Sequence, residues 1–314
     1  GAADAADAER AAYLAKADLV TNAVVEFTSV QGVMGSYYAA ACGENDQVAR
    51  AIADHYRPRF SGDEPPASDV GRIVAMADKL DTVCGLFAVG QAPTGSSDPF
   101  ALRRAALGVL AILEETGLPI SLVETIDGSL IIYREAGLQF DNAEVRREII
   151  DFFVTREKVA LRDVGVKADT IDAVLACGIE EPIVLARRAR ALEAARTENP
   201  QVFDDLATAF ARANNLREIG LGTGYKKAEL TEVETALAEA VATAEGNVAA
   251  ALADDRYADA LVALAALRAP VDEFFDTTMV MDEDPEVRAN RLKLLNRFAN
   301  VFAHVADFSQ MAKK

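Results

Sequence analysis

The residues best suited to chemistry crowd into one stretch, residues 78–110, which reads DKLDTVCGLFAVGQAPTGSSDPFALRRAALGVL. Asp78, Lys79 and Asp81 stand on one expected helix and Arg103 and Arg104 on the next, with a glycine-punctuated loop between them. Paired carboxylates can hold a metal or neutralise an arginine, and a guanidinium binds phosphate in two-pronged fashion. Asp98 or Ser97 can cap the second helix, and Pro99 suits a first helical turn. From position 100 to 113 apolar residues run almost all the way round that helix, with Leu102, Leu107, Val109, Leu110 and Ile112. A helix apolar on all sides is buried. Arg103 and Arg104 therefore need partners, which are either Asp78 and Asp81 or the phosphates of a ligand.

The remaining reactive types are sparse. Thr94-Gly95-Ser96 ahead of a helix could cradle an anion, but it lacks the lysine and glycine spacing of a nucleotide-binding P-loop. GLGTGY at 220–225 lies between two helices, the wrong setting for a dinucleotide fingerprint, and reads as a linker. Cys42, Cys84 and Cys177 are far apart and form no zinc spacing, so they read as reduced, apolar, buried thiols. Tyr37, Tyr38 and Tyr56 read as core residues, with base stacking as the functional alternative.

The elements that must position these groups are helices. The spacing predicts helices over 5–27, one opening at 36–38, then 46–56, 70–87, 100–115, 143–159, 169–176, 183–196, 201–219, 226–252, 256–275 with a kink at Pro270, and 285–308. Residues 120–140 carry a weaker helical signal and are expected to hold short connecting helices. In the last helix Leu294, Leu295, Phe298, Val301, Phe302, Val305 and Phe308 form one apolar stripe. Lys293, Arg297, Asn300 and His304 form the expected solvent-facing row. Arg291 falls inside the stripe and should be clamped by a carboxylate, Asp272 or Glu273 being at hand. The fold class expected is all-α.

With 314 residues, more than one core is expected, and no apolar run reaches the ~18 residues of a membrane span. The net charge of −18 excludes generic nucleic-acid binding, so any RNA site must be a local basic patch. The first residues have no signal-peptide layout and read as a cut end.

Several long blocks, in order, resemble the bacterial glycyl-tRNA synthetase β subunit. They are KADLVTNAVVEFTSVQGVMGSYYA (16–39), HYRPRFSGDEPP (55–66), ADKLDT (77–82), PTGSSDPFALRRAALGVL (93–110), RYADALVALAALRAPVDEFFDTTMVM (256–281) and RANRLKLLNRFANVFAHVADFS (288–309). The likeness is weak between about 177 and 253, and the family's chain is much longer, so the resemblance implies its C-terminal portion.

The resemblance implies a degenerate HD-like helical domain (1–120), a connecting helical region (121–180) and an anticodon-binding helix bundle (181–314). HD phosphohydrolases need several histidines and aspartates around metal. Here His55 is followed by Tyr56 where an aspartate would be required, and His304 falls in the other domain, so no metal is expected. Arg57, Arg59, Lys79, Arg103 and Arg104 become candidate RNA contacts in the first domain, with internal ion pairs as the alternative. In the bundle the candidates are Arg212, Arg217, Lys226, Lys293, Arg297 and Asn300, supported by Asn214, Asn215 and Lys227. An ordinary solvated face is the alternative there, and 210–219 is less basic than the family's pattern. The implied partners are tRNA(Gly) and the synthetase α subunit, in the cytoplasm, with no DNA and no membrane. ATP is used by the whole complex. No cofactor and no catalytic residue are expected in this chain. The contrasting readings are an HD-type, metal-dependent phosphohydrolase acting on nucleotides, and an assembly module that touches no RNA.

Overall fold

The computed structural model describes residues 2–60 and 62–311, apart from the side chains of Ala2, Ala3 and Val202. Among the described residues every regular element is helical, and extended pairing is limited to one bridge between Thr94 and Ser97. The all-α expectation holds. The chain forms two compact units: one takes in the chain up to Glu157 together with Glu180–Ile183, the other Lys158–Ile179 and the chain from Val184 onward.

The first unit contains α1 (Ala2–Leu14), α2 (Asn22–Glu26), α3 (Val33–Ala41), α4 (Asp46–Asp54), α5 (Asp69–Ala88), α6 (Leu102–Thr116), α7 (Leu122–Glu135) and the start of α8 (Asn142–Asp163). The single helix expected over 5–27 is broken. The carboxylate of Asp18, buried, accepts the amides of Gly32 (2.6 Å) and Gly35 (3.0 Å), which ties the break to the turn that opens α3. Gly32 has φ +78°, a left-handed turn that a side chain would strain. The weaker helical signal over 120–140 predicts short connecting helices there. The region carries the 14-residue α7 instead, capped by Ser121, whose hydroxyl accepts the Glu124 amide.

Helix α5 is the axis of this unit and packs on α1, α4, α6 and α7. Its N-terminal half meets an alanine-rich core with Ala11, Ala15, Ala51 and Ile52, where small side chains allow close helix approach. Its C-terminal half meets a larger core with Leu102, Val109, Ile112, Leu122, Ile126 and Phe153. Burying side chains of this size stabilises by roughly 1.5–3 kcal/mol each.

The second unit contains the rest of α8, α9 (Ala168–Leu175), most of α10 (Pro182–Glu198), α11 (Pro200–Asn215), α12 (Glu232–Ala253), α13 (Tyr257–Ala265), α14 (Arg268–Thr277) and α15 (Pro285–Ala303). The seven apolar residues of the expected final stripe are all buried. The helix expected to kink at Pro270 instead stops at Ala265 and restarts at Arg268. Pro270 then lies in a first turn, where its missing N–H leaves no bond unmade. Arg291 is clamped as expected but not by Asp272 or Glu273. Its guanidinium binds Glu234 (2.5 Å) and Asp282 (2.6 Å).

Candidate functional site

In the first unit the segment after α4, the middle of α5, the start of α6 and the turn before α3 surround a cleft of about 420 Å³. Ser29, Gln31, Tyr56, Pro58, Arg59, Asp78, Lys79, Thr82, Phe100 and Arg104 line it. Helix α6 begins two residues later than expected. Ala101 adopts a left-handed φ of 58°, and the Asp98 carboxylate accepts the amides of Leu102 (2.8 Å) and Arg103 (3.0 Å). This start leaves Phe100 and Arg104 on the cleft. The helix is not sealed all round: Phe100 and Leu107 are exposed.

Of the two alternatives for Arg103 and Arg104, pairing with Asp78 and Asp81 does not occur among the described residues. Asp78 holds the Lys16 ammonium (3.0 Å), and Asp81 accepts the Tyr133 hydroxyl (2.7 Å). The Arg103 guanidinium donates to the Gly95 carbonyl (2.6 Å). Arg57 meets Asp54 (3.6 Å) and, at 4.0 Å, Glu64. Lys79, a candidate RNA contact from its charge, is buried on the cleft floor, and its ammonium donates to the carbonyls of His55 (3.1 Å) and Arg57 (2.7 Å). Burial pushes Lys79 down to about 8, against the pull of Asp78. Arg59 and Arg104 are exposed, and neither guanidinium has an ion-pair partner among the described residues.

His55 is fully buried beneath this floor. Its Nδ1 lies 2.7 Å from the Ile52 carbonyl and its Nε2 2.9 Å from the Lys16 ammonium. Burial, then the Lys16 charge, push the imidazole down to about 4, so it is neutral at pH 7. The Lys16 ammonium also lies 4.0 Å from the centre of the Tyr56 ring. These residues do not fit a divalent cation. The one histidine and the one aspartate that could ligate it both face a lysine ammonium, and no group of three or more candidate ligands comes together among the described residues.

In the second unit the expected solvent-facing row is only partly so. Lys293, Arg297 and Asn300 are half-buried, and His304 alone is exposed. Arg297 is taken by Glu245 and by the Tyr225 hydroxyl (3.2 Å), and the Glu245 bond raises its already high pKa. Arg217 donates to the Asn300 side chain. Lys226 pairs with Glu229 (3.0 Å) and Glu286 (3.3 Å). Arg212 is exposed and stacks over Phe275 at 4.2 Å. Lys227 and Asn215 are exposed, and Asn214 is half-buried. Lys293 has no ion-pair partner among the described residues.

Sequence reasoning missed three features. Asn290 and Asn296 are buried on α15 and stitch the connection between α11 and α12 to it: Asn290 bonds both backbone groups of Lys226, and Asn296 donates to the Glu218 and Gly222 carbonyls at 2.8 Å each. Two amides inside an otherwise apolar helix face were the available signal. Arg156 stacks on Phe152 at 4.6 Å and is lowered by burial first, then by the Arg103 charge. The thiols also differ from expectation. Cys42 is exposed, Cys177 half-buried and Cys84 buried, and burial raises Cys84 and Cys177 to about 11.

The second unit is a helical bundle whose last helix carries a mixed polar row, and its sequence gives the class. Residues 206–308 match the family described as DALR anticodon binding domain. Residues 2–176 match the family described as glycyl-tRNA synthetase beta subunit, and the chain belongs to that family. It is 45% identical over 314 residues to the glycine–tRNA ligase beta subunit of Acidithiobacillus ferrooxidans, covering 99% of this chain and 45% of the relative. Against the proteins of the same description from Actinobacillus pleuropneumoniae and Vibrio cholerae it is 44% identical, covering 98% and 99% of this chain and 44% and 45% of theirs. The chain thus spans a little under half the length of these relatives.

Proposed function

We propose that this chain is the tRNA-binding portion of a glycine–tRNA ligase beta subunit. It recognises tRNA(Gly), anticodon included, while a complex with an alpha subunit attaches glycine at the expense of ATP in the cytoplasm. The observation that carries this reading is the ordered pair of family matches along one chain, beta subunit first and anticodon-binding domain second. The geometry supports it. Most cations in this acidic protein are consumed by internal carboxylates or carbonyls, yet Arg59 and Arg104 share one cleft without ion-pair partners among the described residues, and the same holds for Lys293 on α15. RNA phosphates need such local cationic points, and unpaired bases are read by mixed polar and aromatic groups.

The test is binding of tRNA(Gly) and of the same tRNA with its anticodon exchanged, measured by fluorescence anisotropy at low salt. The expected result is a weaker complex for the exchanged anticodon. Equal affinity for the two would remove anticodon recognition, and no binding of either would remove the RNA-binding reading of this chain.

A further inference from the structure

Resting on that reading, we propose that the cleft of the first unit is a subsite for one unpaired nucleotide, with its phosphate held between Arg59 and Arg104 and its base laid against Phe100.

The cleft has the volume for such a guest. About 420 Å³ lies near the lower end for small-ligand pockets and is far too narrow for a duplex. Its chemistry is divided in a matching way. Arg59 and Arg104 are exposed guanidinium groups, without ion-pair partners among the described residues, that come from different elements, the loop after α4 and the first turn of α6. A planar guanidinium pair suits the oxygens of a phosphate. Between them the Lys79 ammonium is fixed by two backbone carbonyls, so its charge cannot swing away to meet a carboxylate. Asp78 also lines the cleft and would repel a phosphate, but its carboxylate is turned onto Lys16 at 3.0 Å. Asp63 accepts the Arg59 backbone amide at 2.7 Å and leaves the Arg59 guanidinium alone.

Phe100 supplies the second half of the site. It is a large aromatic ring, 49% exposed, on the wall of a charged cleft. Burial elsewhere would stabilise such a ring, and its position here follows from the left-handed Ala101 and the Asp98 cap that start α6 late. Base–aromatic stacking tolerates any base, because every base has a π face. Gln31, Ser29 and Thr82 complete the wall with polar groups. The guest's chemistry is that of a nucleoside phosphate, and it could come from an RNA strand or from a free nucleotide.

The experiment uses the whole chain and a fluorescein-labelled single-stranded RNA tetramer, with a duplex of the same sequence and unlabelled AMP as further arms. The single strand is expected to bind better than the duplex. Arg59→Ala and Arg104→Ala are each expected to raise its Kd about tenfold at low salt and to flatten the salt dependence. Phe100→Ala is expected to raise it about tenfold with the salt dependence kept, since only stacking is lost. The three side chains are solvent-facing, so unchanged thermal midpoints verify folding. Displacement of the tetramer by AMP assigns the site to any nucleoside phosphate, and failure of AMP to compete assigns it to the strand. Wild-type affinity in Arg104→Ala and Phe100→Ala overturns the subsite, as does equal binding of duplex and single strand. If those variants are unaffected while tRNA(Gly) still binds the chain, the subsite falls and the tRNA-binding reading stands.

Discussion

Gly108 of α6 lies against the stem of Lys79 on α5: a Cβ at position 108 would stand 2.8 Å from Lys79 Cε and 3.1 Å from its Cδ. The missing side chain is what lets the lysine pass beneath α6 and reach the carbonyls of His55 and Arg57. A glycine in mid-helix is otherwise a liability of about 1 kcal/mol.

That relationship predicts opposite outcomes for two helical glycines. Gly108→Ala gains helix propensity but pushes Lys79 off two buried carbonyls, and a net loss of about 1 kcal/mol is expected. Gly128 on α7 has nothing within 4 Å of an added Cβ. Gly128→Ala should therefore stabilise by about 0.5–1 kcal/mol. Urea unfolding of the two variants checks the signs. Two stabilised variants would mean that the Lys79 contact yields freely.

His55 makes stability pH-dependent. Its imidazole titrates near 4 in the folded chain against an ordinary 6.5. Between those values the unfolded chain binds a proton and the native chain does not. Stability from this group is complete above 6.5 and is lost as the pH falls toward 4, by at most about 3 kcal/mol. Denaturant midpoints at pH 7 and pH 5 should differ more for the wild type than for His55→Gln. Parallel behaviour of the two proteins would contradict the buried neutral ring.

Glu234 joins two elements at once. One oxygen accepts the Thr231 amide in the capping box that starts α12, and the other holds Arg291 of α15. Both side chains of the pair are almost out of solvent, at 3% and 12% exposure. Glu234→Ala should destabilise by about 2 kcal/mol, because it takes one of two carboxylates from a largely buried guanidinium, leaving Asp282 alone on it, and removes half of a capping box. Glu234→Gln keeps the cap acceptor and should lose distinctly less. Equal losses in a thermal melt would show that the charge pair adds little.

Arg297 and Lys293 stand on the same helix with different duties. Arg297 is held by Glu245 and Tyr225, so Arg297→Ala should lower stability by about 1 kcal/mol and leave tRNA affinity within about twofold. Lys293 has no ion-pair partner among the described residues, so Lys293→Ala should leave stability alone and lower the slope of log affinity against log salt by about one. The reverse pattern in anisotropy titrations would exchange their roles.

The helical class, the burial of the seven apolar residues near the chain's end, the need for a carboxylate clamp on Arg291 and the family resemblance were all present in the linear chain, although the last helix stops at Ala303, before Val305 and Phe308. They rest on local spacing and on long ordered blocks, which need no knowledge of neighbours. Which carboxylate meets which cation was not legible there. Arg291 finds Glu234, 57 positions away, and Asp78 finds Lys16, 62 positions away, because helix packing and not sequence proximity sets those distances. The same holds for Lys79: its charge suggested a surface contact, and only the passage opened by Gly108 shows it lying under α6. Packing likewise consumed Arg297 and Lys226 while leaving Arg59 and Arg104 open on one cleft, since an ion pair forms only where the folded backbone brings a partner within reach.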